Sequence, residues 1–383
     1  MRLYNSQSRS KEDFKTILPN KVLMYVCGIT PNNATHIGHA FTYVSFDILV
    51  RYLKLKGFEV NYLQNVTDIN DGDDVIAQAQ KTGKTWQQEA EYWVNHFHQQ
   101  MDALNVIRPT QFIFATSVMD KIIEINSELI KKGYAYEKNG NVYFNILSFP
   151  KYGELSRYTN EQMLYISKDR GNNPDDPYKK NPLDFVLWFR SDSIPAWDSP
   201  WGKGRPGWHI ECSTMINSLL GPQIDIHGGG RDLIYPHHDS EIAQSESYTG
   251  KTPFVHTWMH SSMVLCEGEK MSKSLGNLVL VGDLLKKFSP NAIRWMLLSH
   301  HYRSPWEYEE YELEQIEIKV SNILRVISGV SDDHKTVNTQ AFEQIMDDDL
   351  DTPSVLRYIE KCLADGAKKE AKKMLNILGF NFE

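Results

Sequence analysis

Residues 21–66 read KVLMYVCGITPNNATHIGHAFTYVSFDILVRYLKLKGFEVNYLQNV, and their pattern decides the fold. Lys21 to Gly28 is short and apolar and closes on Cys and Gly, as a buried strand does. From Ile37 to Lys56 the residues Ile37, Phe41, Val44, Phe46, Leu49, Val50 and Leu53 recur at helical spacing, and Gly57 supplies a stop. Glu59 to Val66 returns to strand character. Strand, helix and strand in succession predict a βαβ unit with a right-handed crossover. Ligands of such sheets bind beyond the carboxyl ends of the strands, where Cys27 and the string His36-Ile37-Gly38-His39 fall.

Outward from this unit, Trp86 to Leu104 and Ser117 to Lys132 read as helices and Asn141 to Ile146 as a strand. Tyr152 to Pro206, rich in Gly, Pro, Asn and Asp, reads as irregular loops over the active site. Sheet signals resume at Ile224-Asp225-Ile226 and from Trp258 to Leu265. Beyond Glu307 four segments are helical: Tyr311 to Ile327, Asn338 to Met346, Pro353 to Leu363 and Lys368 to Leu378. There is no internal repeat.

A chain of 383 residues can bury a large core and predicts two or three domains. Apolar residues at 41% and charged residues at 23% describe an ordinary globular protein. No apolar run approaches the ~18 residues of a membrane span, and the N-terminus carries no signal core. Four cysteines are too few for a disulfide framework, so reduced cytoplasmic thiols are expected; the protein is further expected to be a monomer. A net charge of −8 argues against a broad nucleic-acid face but leaves room for a local basic groove. The Lys-rich stretch from Lys361 to Lys373 reads best as a solvated helix face.

Two strings carry the chemistry. His36–His39 opens a helix, where unpaired N–H groups and the helix dipole favour anions, and Gly38 leaves room for a nucleotide. Its imidazoles are expected to donate to phosphate oxygens during attack on an α-phosphate. Far downstream, Lys270-Met271-Ser272-Lys273-Ser274 is expected on a loop whose lysines follow departing pyrophosphate. Either string alone would pass for surface histidines or a charged loop; the ordered pair points to an enzyme that joins an acid to AMP using ATP.

Cys27, Cys212, His237 and Glu241 have the residue types of a tetrahedral zinc site. His237 and Glu241, four apart, would share a helix face. No close Cys pair supports this, and from composition alone two buried cysteines packed as small hydrophobes are the better reading. Zinc would nonetheless separate a thiol from a nearly isosteric hydroxyl, which an apolar pocket does poorly. Asn65-Val66-Thr67-Asp68 can hold an α-amino or carboxylate group, and Gly228-Gly229-Gly230 with Asp232 can meet a ribose or an amine. Trp208 reads equally as a pocket wall or as core.

MYVCGIT (24–30), HIGH (36–39), GRPGWHIECS (204–213), DIHGGGRDLIYPHHDSEIAQS (225–245) and KMSKSLGN (270–277) together resemble the class I aminoacyl-tRNA synthetases, in their cysteinyl branch. The resemblance implies an α/β, Rossmann-like parallel-sheet catalytic domain over 1–306, an insertion over roughly 107–206 and a short C-terminal helical bundle over 307–383 without a full anticodon-binding domain. It implies ATP-dependent formation of cysteinyl-AMP, with His36, His39, Lys270 and Lys273 catalytic. It places zinc on Cys27, Cys212, His237 and Glu241, with Mg²⁺ on the ATP. Gly28, Thr30, Thr42, Asn65, Val66, Thr67, Trp208, Gly230, Arg231, Asp232, Val264 and Ser272 are expected around ATP and cysteinyl-AMP.

Within the branch, ITPNNATHIGH (29–39), the DRGNNP segment (169–174) and the tail from Asp348 resemble the cysteine ligase of mycothiol biosynthesis, which cysteinylates the amine of a glucosaminyl-inositol. A small, amino-sugar-like amine acceptor is therefore expected. The alternative is a truncated cysteinyl-tRNA synthetase charging tRNA(Cys): Glu241 resembles that kind, whereas the short tail and the net charge of −8 count against it; NDGDD (70–74) is expanded relative to both. A third possibility is a non-catalytic paralogue that binds cysteine or an adenylate.

Overall fold

A computed structural model of the chain describes residues 1–69, 74–271, 275–330 and 339–382. The expansion at 70–74 falls almost wholly outside them, as do Ser272 and Lys273.

The strand Lys21–Ile29, the helix Ile37–Leu55 and the strand Glu59–Val66 form where the apolar spacing predicts them. Gly57 has φ +88, a backbone state only glycine adopts freely, and turns the chain back into the sheet. Five parallel strands lie side by side in the order Val255–Ser261, Ile224–Gly230, Lys21–Ile29, Glu59–Val66 and Gln111–Phe114. In chain order this is 5-4-1-2-3, a doubly wound sheet. Its order reverses between Lys21–Ile29 and Ile224–Gly230, where a crevice opens at the strands' carboxyl ends.

Between the third and fourth core strands the chain builds a second sheet. Ala135–Lys138, Asn141–Phe144, Phe185–Arg190 and Gly204–Pro206 pair antiparallel in that order. The irregular reading of 152–206 is thus corrected: the segment holds two of these strands and the helix Asn160–Asp169. The strands are short and separated by Pro, Gly and Asn, and their pairing with distant Asn141–Phe144 leaves no local signature. Phe144 and Phe185 stack at 5.0 Å and help anchor the sheet's own core.

The helices Glu310–Ile327, Gln340–Met346, Thr352–Ala364 and Lys368–Ile377 close the chain. They share one hydrophobic core with the main sheet: Phe342, Met346, Leu356 and Ile359 belong to the same cluster as Val22, Phe46 and Leu49. The strand Arg2–Asn5 is tied to them too, Arg2 N donating to Asp347 O at 2.8 Å and Tyr4 N to Asp349 Oδ1 at 2.8 Å. Among the described residues, no helix is long and apolar enough to cross a membrane.

Candidate active site

The crevice holds a cavity of about 440 Å³. Its floor is the end of Lys21–Ile29. A Cβ on Gly28 would lie 1.7 Å from Asn65 O, so only glycine lets these strands approach here. Gly28 N donates to Asn65 Oδ1 at 2.7 Å, and Asn65 Nδ2 to Thr67 Oγ1 at 3.1 Å. Asp68 is buried and already accepts from Thr116 N and Oγ1, so its carboxylate is committed to the protein.

His36 caps the helix Ile37–Leu55, its Nδ1 accepting from Gly38 N at 3.1 Å. His39 Nδ1 accepts from His36 N at 3.4 Å, and the two rings stack at 3.8 Å. A neutral ring that accepts at Nδ1 carries its proton on Nε2, so the capping box fixes both imidazoles as Nε2–H donors. Burial pushes His36 down to about 4, with Asp232 opposing and Lys270 assisting. Burial and then the neighbouring His36 push His39 down to about 3. Both are neutral donors near pH 7. A Cβ on Gly38 would come within 2.9 Å of the His36 ring, so this glycine makes room for the cap itself.

Across the cavity, Asp232 Oδ2 accepts from Arg170 Nη2 at 3.0 Å and from Lys270 Nζ at 3.2 Å. Burial raises its carboxyl, but the two cations outweigh that and hold it below the usual range. Lys270 sits on the two-residue strand Glu269–Lys270, paired with Val264–Cys266, and not on the expected loop. Thr42 Oγ1 meets Ser261 Oγ at 2.7 Å.

Cys27, Cys212, His237 and Glu241 converge as the sequence suggested, with one donor atom from each within 4.8 Å of all the others and every side chain buried. His237 Nε2 lies 3.0 Å from Glu241 Oε1, and Cys27 Sγ 4.0 Å from the same oxygen. His237 lies in an irregular turn, Ile234–His238, that leads into the helix Asp239–Thr249 and keeps the four-residue spacing on one face. A second grouping, Cys27, His227, His238 and Glu241, is equally close. Cys27, Cys212 and His237 line the cavity, whereas His227 and His238 do not. A metal on the first set would therefore face a substrate, while His227 and His238 stand behind it, His227 Nε2 2.8 Å from Glu241 Oε2 and His238 Nε2 3.4 Å from Cys27 Sγ.

The donor set fits zinc. Two thiols, an imidazole and a carboxylate are the ligand types of a tetrahedral site, and their mutual spacing suits bonds of about 2.0–2.3 Å. Burial pushes the Cys27 thiol and the Glu241 carboxyl well up and the His237 imidazole well down. A dication is the charge that lets such buried acids ionise.

Of the other residues expected here, Thr30, Trp208, Gly230 and Val264 line the cavity. Trp208 stacks on His237 at 4.5 Å, which makes it a wall. Val66 and Arg231 do not line it. Side chains alternate along a strand, so Val66 points away from the face that Asn65 and Thr67 share and is fully buried in the sheet. Arg231 turns out to solvent. Sequence reasoning missed Arg170, His227 and His238. One signal was available: six of the 13 histidines lie between positions 209 and 260.

Residues 13–318 match the family model described as tRNA synthetases class I (C) catalytic domain. A cysteine–tRNA ligase of Shewanella amazonensis is 43% identical over 359 residues, covering 92% of this chain and 77% of that protein. One of Dehalococcoides mccartyi is 45% identical over 368 residues, covering 94% and 79%. In fold, the chain is similar to a Mycobacterium tuberculosis methionyl-tRNA synthetase in complex with methionyl-adenylate, with TM-score 0.61 and 17% identity over 94% of this chain and 82% of that one. Sheet order, the paired signature strings and these relatives agree: the chain belongs to the class I (C) tRNA synthetase family of ATP-dependent ligases.

Proposed function

We propose that the protein activates L-cysteine with ATP to cysteinyl-AMP and passes the cysteinyl group to the 3′ end of tRNA(Cys). The observation that carries this reading is the convergence, on one cavity, of a thiol-selective donor set and a pair of neutral imidazole donors. A carboxylate oxygen of cysteine attacks the α-phosphorus, the bond to the bridging oxygen breaks, and pyrophosphate leaves. No protein nucleophile is required; the chain positions the reactants and stabilises charge. His36 and His39 direct Nε2–H at the phosphate oxygens. Lys270 turns from Asp232 to the leaving pyrophosphate, with Lys273, outside the described residues, assigned the same task. Asp232 and Gly230 receive the ribose, and Thr30, Thr42, Asn65 and Thr67 surround the adenylate, with Trp208 closing the cysteine side. Cys27, Cys212, His237 and Glu241 would hold zinc, which supplies a soft Lewis-acid site that prefers a thiolate to a hydroxyl. Mg²⁺ is expected on the ATP oxygens. Residues 1–306 form the catalytic unit in this reading, 107–206 its insertion and 307–383 a helical unit docked on it.

The tRNA acceptor is favoured by relatives 43% and 45% identical that are named cysteine–tRNA ligases. The small-amine acceptor rests on ITPNNATHIGH, DRGNNP and the tail from Asp348, and neither of these relatives supports it. Two assays test the reading. ATP–pyrophosphate exchange should require cysteine and ignore serine. Transfer of labelled cysteine should then go to tRNA(Cys) and not to glucosaminyl-inositol; the reverse preference would replace this acceptor with the amine.

A further inference from the structure

Two cations share one carboxylate oxygen in the catalytic cavity: Arg170 Nη2 lies 3.0 Å and Lys270 Nζ 3.2 Å from Asp232 Oδ2. They come from different parts of the chain. Lys270 sits on the short strand Glu269–Lys270, whereas Arg170 caps the helix Asn160–Asp169 of the inserted segment. Among the described residues, no other lysine or arginine lines this cavity. Lys270 has its task in following pyrophosphate. The Arg170 side chain, only 25% exposed, calls for an anion of its own beyond the one carboxylate oxygen it shares.

Its neighbours locate that anion. Asp232, which receives the ribose in the reading above, bonds Arg170 directly. Burial is the largest cause of the low His237 and His36 imidazoles, but a lesser cause separates the two cations: the charge of Arg170 is felt at His237 in the metal cluster, that of Lys270 at His36 on the phosphate-facing helix. Arg170 is thus near both the ribose end and the thiol end of the cavity. A cysteinyl adenylate with its ribose at Asp232 and its sulfur at the cluster carries its carboxyl–phosphate junction between them, beside Arg170. A guanidinium presents five N–H donors in a planar fork. Asp232 takes one on Nη2, which steadies the plane and leaves the donors on Nε and Nη1 for phosphate.

We propose that Arg170 is a catalytic residue of adenylation, steadied by Asp232 and donating to the α-phosphate oxygens. This rests on the cysteine-activation reading above. The cysteine carboxylate oxygen bonds to phosphorus, the bond from phosphorus to the bridging oxygen breaks, and its electron pair leaves with pyrophosphate. Negative charge builds on the non-bridging oxygens in between, and donors aimed there lower the barrier more than they tighten ground-state binding. Arg170 stays protonated throughout. The inserted segment thereby supplies a group to the reaction and is more than a wall.

Arg170→Ala should lower kcat for cysteine-dependent pyrophosphate exchange about 100-fold while the KM for ATP and for cysteine each change less than about threefold. Added guanidinium ion should raise the rate of this variant by about tenfold or more, because it refills the vacated space with the same donors. An unchanged kcat overturns the proposal, as does a loss confined to the KM for ATP, or a lost rate that guanidinium fails to restore. Should that variant fail to fold, Arg170→Lys decides, since it keeps the charge and loses the fork. A kcat about tenfold or more below wild type at unchanged KM supports the assignment, and a wild-type kcat overturns it. Wild-type protein without cysteine-dependent exchange sinks both the reading and this role. Full exchange by wild type and Arg170→Ala alike sinks the role alone.

Discussion

His227 Nε2 stands 2.8 Å from Glu241 Oε2, while the other oxygen of that carboxylate faces His237 at 3.0 Å. One carboxylate is thus shared between a partner behind the cluster and a ligand position within it. Groups that orient a metal ligand typically change metal affinity by about 10–100-fold when removed. His227→Ala is expected to weaken zinc binding by that much, measured by competition with a chromophoric chelator. Wild-type affinity in this variant would assign His227 to packing alone.

Cys212→Ser tests the ligand set directly. Cys212 is buried and faces the cavity beside Cys27 and His237. Replacing its sulfur by a hydroxyl removes one soft ligand with little change of shape. The variant should lose most of its zinc by elemental analysis and, with it, the preference for cysteine over serine in pyrophosphate exchange. Stoichiometric zinc with intact selectivity would refute the assignment.

Acid should destabilise the protein through the signature histidines. A free imidazole titrates at about 6.5, whereas burial holds His36 at about 4 and His39 at about 3. The unfolded chain therefore binds protons first as pH falls. Their contribution to stability is complete above about pH 6.5 and is lost between there and the folded values. Urea unfolding at pH 7.5, 6 and 5 should show this loss, with a shallower slope in His39→Asn. An identical slope in that variant would place the acid sensitivity elsewhere.

The site was legible in the sequence where chemistry is local and hidden where it is long-range. The strand, helix and strand of 21–66 follow from apolar period alone, and the helix start places His36 and His39 without further information. Cys27 lies near the end of the strand Lys21–Ile29 and Cys212 on the helix Trp208–Leu219; they come together through the packing of that helix on the sheet, and no spacing rule encodes that adjacency. His227 and His238 were obscured for the same reason. Val66 was a different failure: the two-residue alternation of a strand that puts Asn65 and Thr67 on the cavity face already excludes it. Arg170 reaches Asp232 from 62 residues away, across a segment whose short strands give no local signal.

Asp232 holds Lys270 and Arg170 together at the cavity mouth. These side chains are 25–52% exposed, so their pairing adds little to stability in water. Its value lies in placing charge where ATP arrives. Asp232→Asn should leave the melting temperature within about 2 °C of wild type and raise the KM for ATP by about tenfold, equivalent to ~1.4 kcal/mol. A lowered melting temperature with unchanged KM would recast the trio as a structural clamp.

Asp47 and Arg294 form the opposite case. Their side chains are 0% and 1% exposed and pair directly, within a hub that joins four segments. Asp47 also accepts from Arg51 Nε at 2.9 Å and from Ile107 N at 2.8 Å, while Arg294 donates to Leu378 O at 2.6 Å and Leu104 O at 2.8 Å. Removing one partner strands a buried charge, which costs about 3–5 kcal/mol. Asp47→Ala should lose that much in denaturant unfolding. The exposed pair Arg2–Asp348 should lose no more than about 1 kcal/mol on Asp348→Ala. Because Arg294 reaches Leu378 O, release of the C-terminal helices should follow, read as faster amide exchange over 368–378 in Asp47→Ala. Equal stability losses in the two variants would mean that water reaches the hub and that the C-terminal helices are held by apolar packing alone.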